Sequence, residues 1–286
     1  MALELFPPEP EDLPELGRIC YRAFESIARP HGFEPDFSDF ETAILAVQMI
    51  SRLPGGFSVA ARLDGRLVGS NFLLASDNIA GVGPITVDPA EHSRGIGRKL
   101  MQAVLDHATA RGLERVRLMQ DSYNSASLSL YASLGFDVRE TVGLLRAGPA
   151  GAVDPTVRPA TPADLDALAQ LCVTHYRVNR RGELGMWIHL GLPVLVREVD
   201  GRLRSYLVAG KLGHGVSESE DDALALIGQI GRFAPPGMDV WFCPLRETSL
   251  FRGALRAGGR LLKIMTLMTR GPYEDPAPVW MPSVAF

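Results

Sequence analysis

Two stretches of this chain open almost identically, and that repetition limits the fold more than any other feature. PEDLPELGRIC at residues 10–20 and PADLDALAQLC at residues 162–172 share Asp, Leu, Leu and Cys at matching positions. LDGRL at 63–67 returns as VDGRL at 199–203, and LGFDVRETVGLLRAGP at 134–149 lies on AGGRLLKIMTLMTRGP at 257–272. Three matches in the same order indicate two copies of one unit, each of which must fold by the same plan. The composition shifts between them in RAGPAGAVDPTVRP, a Gly, Ala and Pro stretch without apolar periodicity. The expected units are residues 1–148 and 155–286.

Within the first unit helical and strand periodicities alternate. Leu13, Leu16, Ile19, Cys20, Ala23, Phe24 and Ile27 recur at helical spacing, as do Ile44, Val47 and Ile50. FSVAARLDGRLVGSNFLLA reads as a hairpin, since Asp64-Gly65 suits a tight two-residue turn. GVGPITVDP is a short strand, and Leu100, Met101, Val104, Leu105 and Ala108 form a stripe ending at Arg111-Gly112. RVRLMQ is a strand, Ser127, Leu130, Tyr131 and Leu134 share a helix face, and FDVRETVGLLR is the last strand. This order predicts an α+β fold, helices layered on mixed, mostly antiparallel sheets, in two tandem copies.

With 286 residues, 46% of them hydrophobic, the chain can bury a sizeable core, and its net charge of −4 gives no global attraction to nucleic acid or anionic membranes. The N-terminus MALELFPPEPEDL lacks the basic flank and apolar core of a signal peptide, and no apolar run approaches the roughly 20 residues that span a bilayer. A cytoplasmic protein is expected. Cys20, Cys172 and Cys243 lie far apart without metal-ligand spacing, which predicts reduced, buried thiols and no metal site.

EHSRGIGRKLM, residues 91–101, places two glycines and three cations between a strand end and a helix start. The first helical turn leaves about four backbone N–H groups without partners and carries roughly half a positive charge. Such a site suits a phosphate. Arg94, Arg98 and Lys99 are unfavourable at that helix end unless an anion sits among them. A P-loop would need a hydroxyl after Lys99, where Leu100 stands. A dinucleotide loop would need a third glycine at that same position.

The stretch resembles motif A of the GNAT superfamily of N-acetyltransferases, Gln/Arg-x-x-Gly-x-Gly/Ala, carried here by His92, Ser93, Arg94, Gly95, Ile96 and Gly97. His92 departs from the family's Gln or Arg. DSYNSASLSLYASLGFDV resembles the family's motif B through Asn124, Tyr131, Gly135 and Phe136. The resemblance implies acetyl-CoA as donor, its pyrophosphate on the backbone from Ser93 to Arg98, its pantetheine along Ile85, Thr86 and Val87, with Asn124 and Ser127 also at the cofactor. It implies direct attack by a primary amine, with Tyr131 protonating the departing thiolate. No general base is legible; Glu25, His31, Asp77 and Asp121 are candidates, and water is another. The acceptor pocket is expected from the first two helices and their connection, where Phe24, Phe33, Phe37 and Phe40 suggest an apolar wall.

The second unit has SESEDD where the first has its glycine loop, and Glu218, Glu220, Asp221 and Asp222 would repel a pyrophosphate. It resembles a degenerate copy, expected to complete the substrate cleft or to form a homodimer. Acids lining that cleft would favour a cationic amine. The apolar tail PAPVWMPSVAF is expected to dock on the body. Alternatives are a non-catalytic acyl-CoA sensor and a peptide or protein N-acetyltransferase.

Overall fold

The computed structural model describes residues 2–53, 55–76, 79–277 and 279–285. In the first half the order is β1 (Leu3–Phe6), α1 (Leu13–Ala28), α2 (Phe40–Ser51), β2 (Phe57–Leu63), β3 (Arg66–Ser76), β4 (Ile79–Val82), β5 (Thr86–Val87), α3 (Ile96–Ala110), β6 (Arg115–Asp121), α4 (Ser125–Ser133) and β7 (Asp137–Arg146). The second half continues with β8 (Val157–Pro159), α5 (Leu165–Tyr176), α6 (Arg181–His189), β9 (Val194–Val199), β10 (Arg202–Val208), β11 (Gly215–Ser217), α7 (Glu220–Ile227), α8 (Ile230–Phe233), β12 (Val240–Pro244), α9 (Thr248–Arg256), β13 (Arg260–Arg270) and β14 (Val279–Met281). Apart from β5, α8 and β14, the second list repeats the first.

The repeated sequence matches fall on matching structural positions. Asp64 (φ 48°) and Gly65 (φ 85°) turn β2 into β3, and Asp200 (φ 52°) and Gly201 (φ 73°) turn β9 into β10. Both pairs take the left-handed backbone that a tight hairpin demands. The stripe of α3 is buried at Ile96, Leu100, Met101, Val104, Leu105 and Ala108, and Gly112 (φ 68°) follows its end. Asp39 caps α2, which begins at Phe40, four residues before Ile44; its carboxylate accepts from Thr42 N at 2.7 Å. The N-terminal stretch, which shows little periodicity between its prolines, supplies edge strand β1, with Leu3 opposite Leu63.

Among the described residues the large sheet runs β1-β2-β3-β4-β6-β13-β7-β12, with β5 on β3, and the smaller runs β14-β11-β10-β9-β8. The last strands of the two units have exchanged places. β13 of the second half lies antiparallel between β6 and β7, from Met265 opposite Asp121 to Arg270 opposite Val116. β7 of the first half pairs in turn with β12, Gly143 opposite Cys243. Three strand pairings, β6–β13, β13–β7 and β7–β12, therefore join the halves across the Gly- and Pro-rich junction, and one apolar cluster holds Met119 and Leu144 together with Trp187, Val208, Phe242 and Trp280.

GVGPITVDP forms two pieces rather than one strand. β4 runs parallel to β6 from Ile79 opposite Arg115 to Gly81 opposite Arg117. The chain then crosses Gly83-Pro84, and β5 pairs on β3 instead, Thr86 opposite Ser70 and Val87 opposite Gly69. Gly69 is required there, because a Cβ on it would lie 2.4 Å from the Thr86 carbonyl oxygen. β5 and the end of β6 part as a wedge. In the second half β14 pairs with β11, Val216 opposite Trp280, and lies against β12, so the C-terminal tail occupies the equivalent gap. The tail thus docks as expected, although Phe286 lies outside the described residues.

Candidate functional site

Gly95, with φ 76° and ψ 4°, turns the chain into α3, and Ser93 shares the left-handed region at φ 65°. The α3 ladder begins where Lys99 N donates to Gly95 O at 3.2 Å, leaving the amides of Ile96, Gly97 and Arg98 at an open helix end. A Cβ on Gly97 would meet Leu130 and Val87 at 3.7 and 3.8 Å, ordinary contacts that protein packing tolerates. The glycine here keeps space for something other than the fold.

The cations divide. Arg94 Nε lies 3.2 Å from Glu91 Oε2, and Glu91 also pairs with Arg66. Arg98 Nη2 donates to Ser133 Oγ at 2.7 Å, tying α3 to α4, while Lys99 is exposed. Two of the three cations thus have protein partners, so an anion is not needed to account for them. The His92 ring lies 3.1 Å from the Val87 carbonyl oxygen, bracing the loop against β5.

Asn124 caps α4, its side-chain oxygen accepting from Ser127 N at 3.1 Å. Tyr131 on that helix is 6% exposed, and burial pushes its phenol up to about 12, against a smaller lowering by its hydrogen bond to Ser127. It keeps its proton across the neutral range. Gly135 (φ 86°) ends the helix, and the Phe136 ring sits 6.2 Å from that of Tyr131. Thr86 is buried, its hydroxyl without a partner among the described residues.

One cavity of about 980 Å³ joins these parts: Ile85 to Val87, His92, Ser93, Gly95 to Arg98, Asn124, Ser127 and Tyr131 all line it. Arg94 lies just outside it. The cavity continues through the wedge beneath α1 and α2 and is closed by Trp187, Val208, Lys211 and Phe242 from the second half.

Of the proposed bases among the described residues, only Asp121 lines this cavity. It is held there, Lys263 Nζ lying 2.6 Å from its Oδ1 and Tyr123 donating to its Oδ2 at 2.8 Å. Glu25 is occupied by Arg29 at 2.7 Å and Tyr21 at 3.1 Å, the Arg29 hydrogen bond chiefly holding its carboxyl below the ordinary value. His31 meets the Ile27 carbonyl oxygen at 2.8 Å and stacks on Tyr123. Asp77 lies outside the described residues.

The charged group that sequence reasoning missed is Asp36, in the α1–α2 connection. Its carboxylate accepts from Lys211 at 2.7 Å and from Lys263 at 2.8 Å. Burial pushes Asp36 up, but the two ammonium groups outweigh it and hold the carboxyl at about 2. Both lysines come from the second half, and Lys263 arrives on exchanged strand β13. No local pattern around HGFEPDFSD reveals partners so distant in sequence.

The acids of the second unit do not face this cavity. Ser219 and the first turn of α7 cap that helix with Glu220, Asp221 and Asp222. Glu218 grips Arg202 through two contacts of 2.6 Å, and buried Asp222 pairs with Arg197 at 2.8 Å. The second half brings Lys211 and apolar side chains instead of an acidic wall. Cys20, Cys172 and Cys243 are free and buried, and the described residues contain no cluster of three potential metal ligands and no helix long and apolar enough to cross a membrane.

Residues 16–136 match the model of the Acetyltransferase (GNAT) family. A mycothiol acetyltransferase of Thermobispora bispora is 41% identical over 99 residues, covering 32% of this chain and 33% of that protein. One from Saccharomonospora viridis is 33% identical over 125 residues, 40% of this chain and 41% of that protein. The aligned part thus spans only about a third to two fifths of these curated relatives. A solved structure from Pyrococcus horikoshii, assigned as an acetyltransferase, superposes with a TM-score of 0.80 at 15% identity over 99% of this chain and 95% of its own. A GCN5-related N-acetyltransferase of Sphaerobacter thermophilus gives 0.67 at 18% identity, over 96% and 97%. These two likenesses cover both halves and establish the fold. The segment that matches the GNAT family's model, residues 16–136, lies within the first half.

Proposed function

We propose that this protein moves an acetyl group from acetyl-CoA to a primary amine, in a ternary complex formed on its first domain. The observation that carries the reading is the meeting, in one cavity, of the open amides of Ile96 to Arg98, the wedge between β5 and β6, and the buried phenol of Tyr131. These parts fit the donor. Gly97 leaves space for a pyrophosphate against the helix end, and the wedge exposes backbone of Ile85 to Val87 to an extended pantetheine arm.

In the proposed reaction the amine nitrogen attacks the thioester carbonyl, forming a C–N bond. Collapse of the tetrahedral intermediate breaks C–S, and the thiolate takes the proton of Tyr131, which burial keeps on the phenol at neutral pH and which water restores after turnover. The proton lost by the amine leaves through water, since Asp36 and Asp121 are both engaged with lysines. The second half keeps the scaffold without the donor site: α7 is capped by acids, and β14 fills the gap that corresponds to the wedge.

Release of free thiol from acetyl-CoA in the presence of amines tests this reading. A sensor would bind acetyl-CoA without such release. The enclosure of the acceptor side by the second half favours a small amine over a protein chain end, and a small amine outrunning peptide termini would support that choice.

A further inference from the structure

The acceptor side of the cavity has a composition that narrows the amine, granted the acetyl-transfer reading above. Beyond the wedge its walls come from Phe37, Met49, Trp187, Val208, Phe242 and Met265, gathered from both halves. Phe37 is fixed edge-on against Phe24, with ring centroids 5.5 Å apart. The charged lining on this side, Asp36, Asp121 and Lys211, is already neutralised within the Asp36–Lys211–Lys263–Asp121 group at separations of 2.6 to 2.8 Å. Two carboxylates against two ammonium groups leave no surplus charge for a polyamine or an acidic acceptor. An aminosugar would place several hydroxyl groups against carbon, each costing free energy unless hydrogen-bonded.

Volume points the same way. A single drug-sized ligand occupies a pocket of about 300–1,000 Å³. The cavity, about 980 Å³, lies at the top of that range, and its lining extends past the glycine loop and wedge to Phe37, Ala46 and Met49 of the α1–α2 segment, where the second molecule would sit. Ala46, half-buried on α2, faces that second space with a small side chain.

We infer that the acceptor is a small primary amine on an apolar body, aromatic or branched aliphatic, seated between the α1–α2 segment and the second half with its amino group toward the wedge. The second half and the α1–α2 segment then set acceptor specificity together.

The full chain, acetyl-CoA and a panel of amines test this, with acetyl-CoA binding followed separately by calorimetry. 2-Phenylethylamine and 3-methylbutylamine should exceed glucosamine and spermidine by at least tenfold in kcat/KM. Ala46→Phe, which fills the second space, should raise KM for the apolar amines at least tenfold with KM for acetyl-CoA unchanged. Lengthening the amine's apolar body on the unaltered protein gives a second readout, an optimum in size. Preference for spermidine or glucosamine would overturn the inference and leave acetyl transfer standing, as would faster turnover of hexanoyl-CoA than acetyl-CoA, which would assign the space to the acyl chain. Absence of acetyl-CoA binding would remove the acetyl-transfer reading and this inference with it.

Discussion

Lys263 Nζ lies 2.8 Å from Asp36 Oδ2, although 227 positions separate the two residues in sequence. The contact exists because β13 inserts between β6 and β7, carrying Lys263 to the end of β6 beneath the α1–α2 connection. Lys263 is 7% exposed, and Asp36 and Asp121 hold its ammonium in the charged form against the burial that opposes it.

Asp36→Asn should therefore cost about 3 kcal/mol of stability, the order expected when one partner of a buried ion pair is lost. The pH dependence has a defined sign. The Asp36 carboxyl falls from its usual 3.8 to about 2 on folding, so its contribution is complete above roughly pH 4 and disappears as pH drops through about 2. That contribution is on the order of 2 kcal/mol. Urea melts between pH 2 and 6 should show a flatter acid limb for Asp36→Asn than for the parent.

Gly97→Ala separates ligand from fold. The added methyl finds neighbours only at 3.7 and 3.8 Å, so the melting temperature should stay within about 2 °C. If pyrophosphate sits on this helix end, the KM for acetyl-CoA should rise about tenfold, equivalent to about 1.4 kcal/mol.

Tyr131→Phe removes a proton donor and retains the ring against Phe136. Turnover should fall about 100-fold, within the range of general acid catalysis, with KM for acetyl-CoA changed less than about twofold. Unchanged turnover would remove the phenol from the reaction.

Strand exchange makes the halves interdependent. Residues 1–148 alone would lack β13, leaving β6 and β7 without their shared neighbour. That fragment should show no cooperative melt by itself and should regain one when co-expressed with residues 155–286. Trp280→Ala tests the tail: Trp280 is 2% exposed and stacks on Tyr176 at 5.4 Å, so its loss should cost about 3–5 kcal/mol in urea melts.

What the sequence disclosed was local. Turn chemistry at Asp64-Gly65 and Asp200-Gly201, the α3 stripe and the glycine loop are each set within a few residues, and all are visible in the linear pattern. The order of elements followed from them, and so did the acids capping α7. The exchange of β7 and β13 was not legible, because a strand's periodicity does not say which sheet it joins. Asp36 was missed for the same reason, since its meaning lies in two distant lysines. The break of GVGPITVDP into β4 and β5 depends on the backbone's close approach to Gly69, which no neighbouring residue announces.

The central claim is that the first domain binds acetyl-CoA and delivers its acetyl group to an amine. Its most direct measurement is mass analysis of the products when the full chain is incubated with acetyl-CoA and 2-phenylethylamine. The account predicts equimolar free CoA and N-acetylated amine, both strongly reduced in Tyr131→Phe and restored for Gly97→Ala by raised acetyl-CoA. Tight binding of acetyl-CoA with neither product formed from any amine would contradict it.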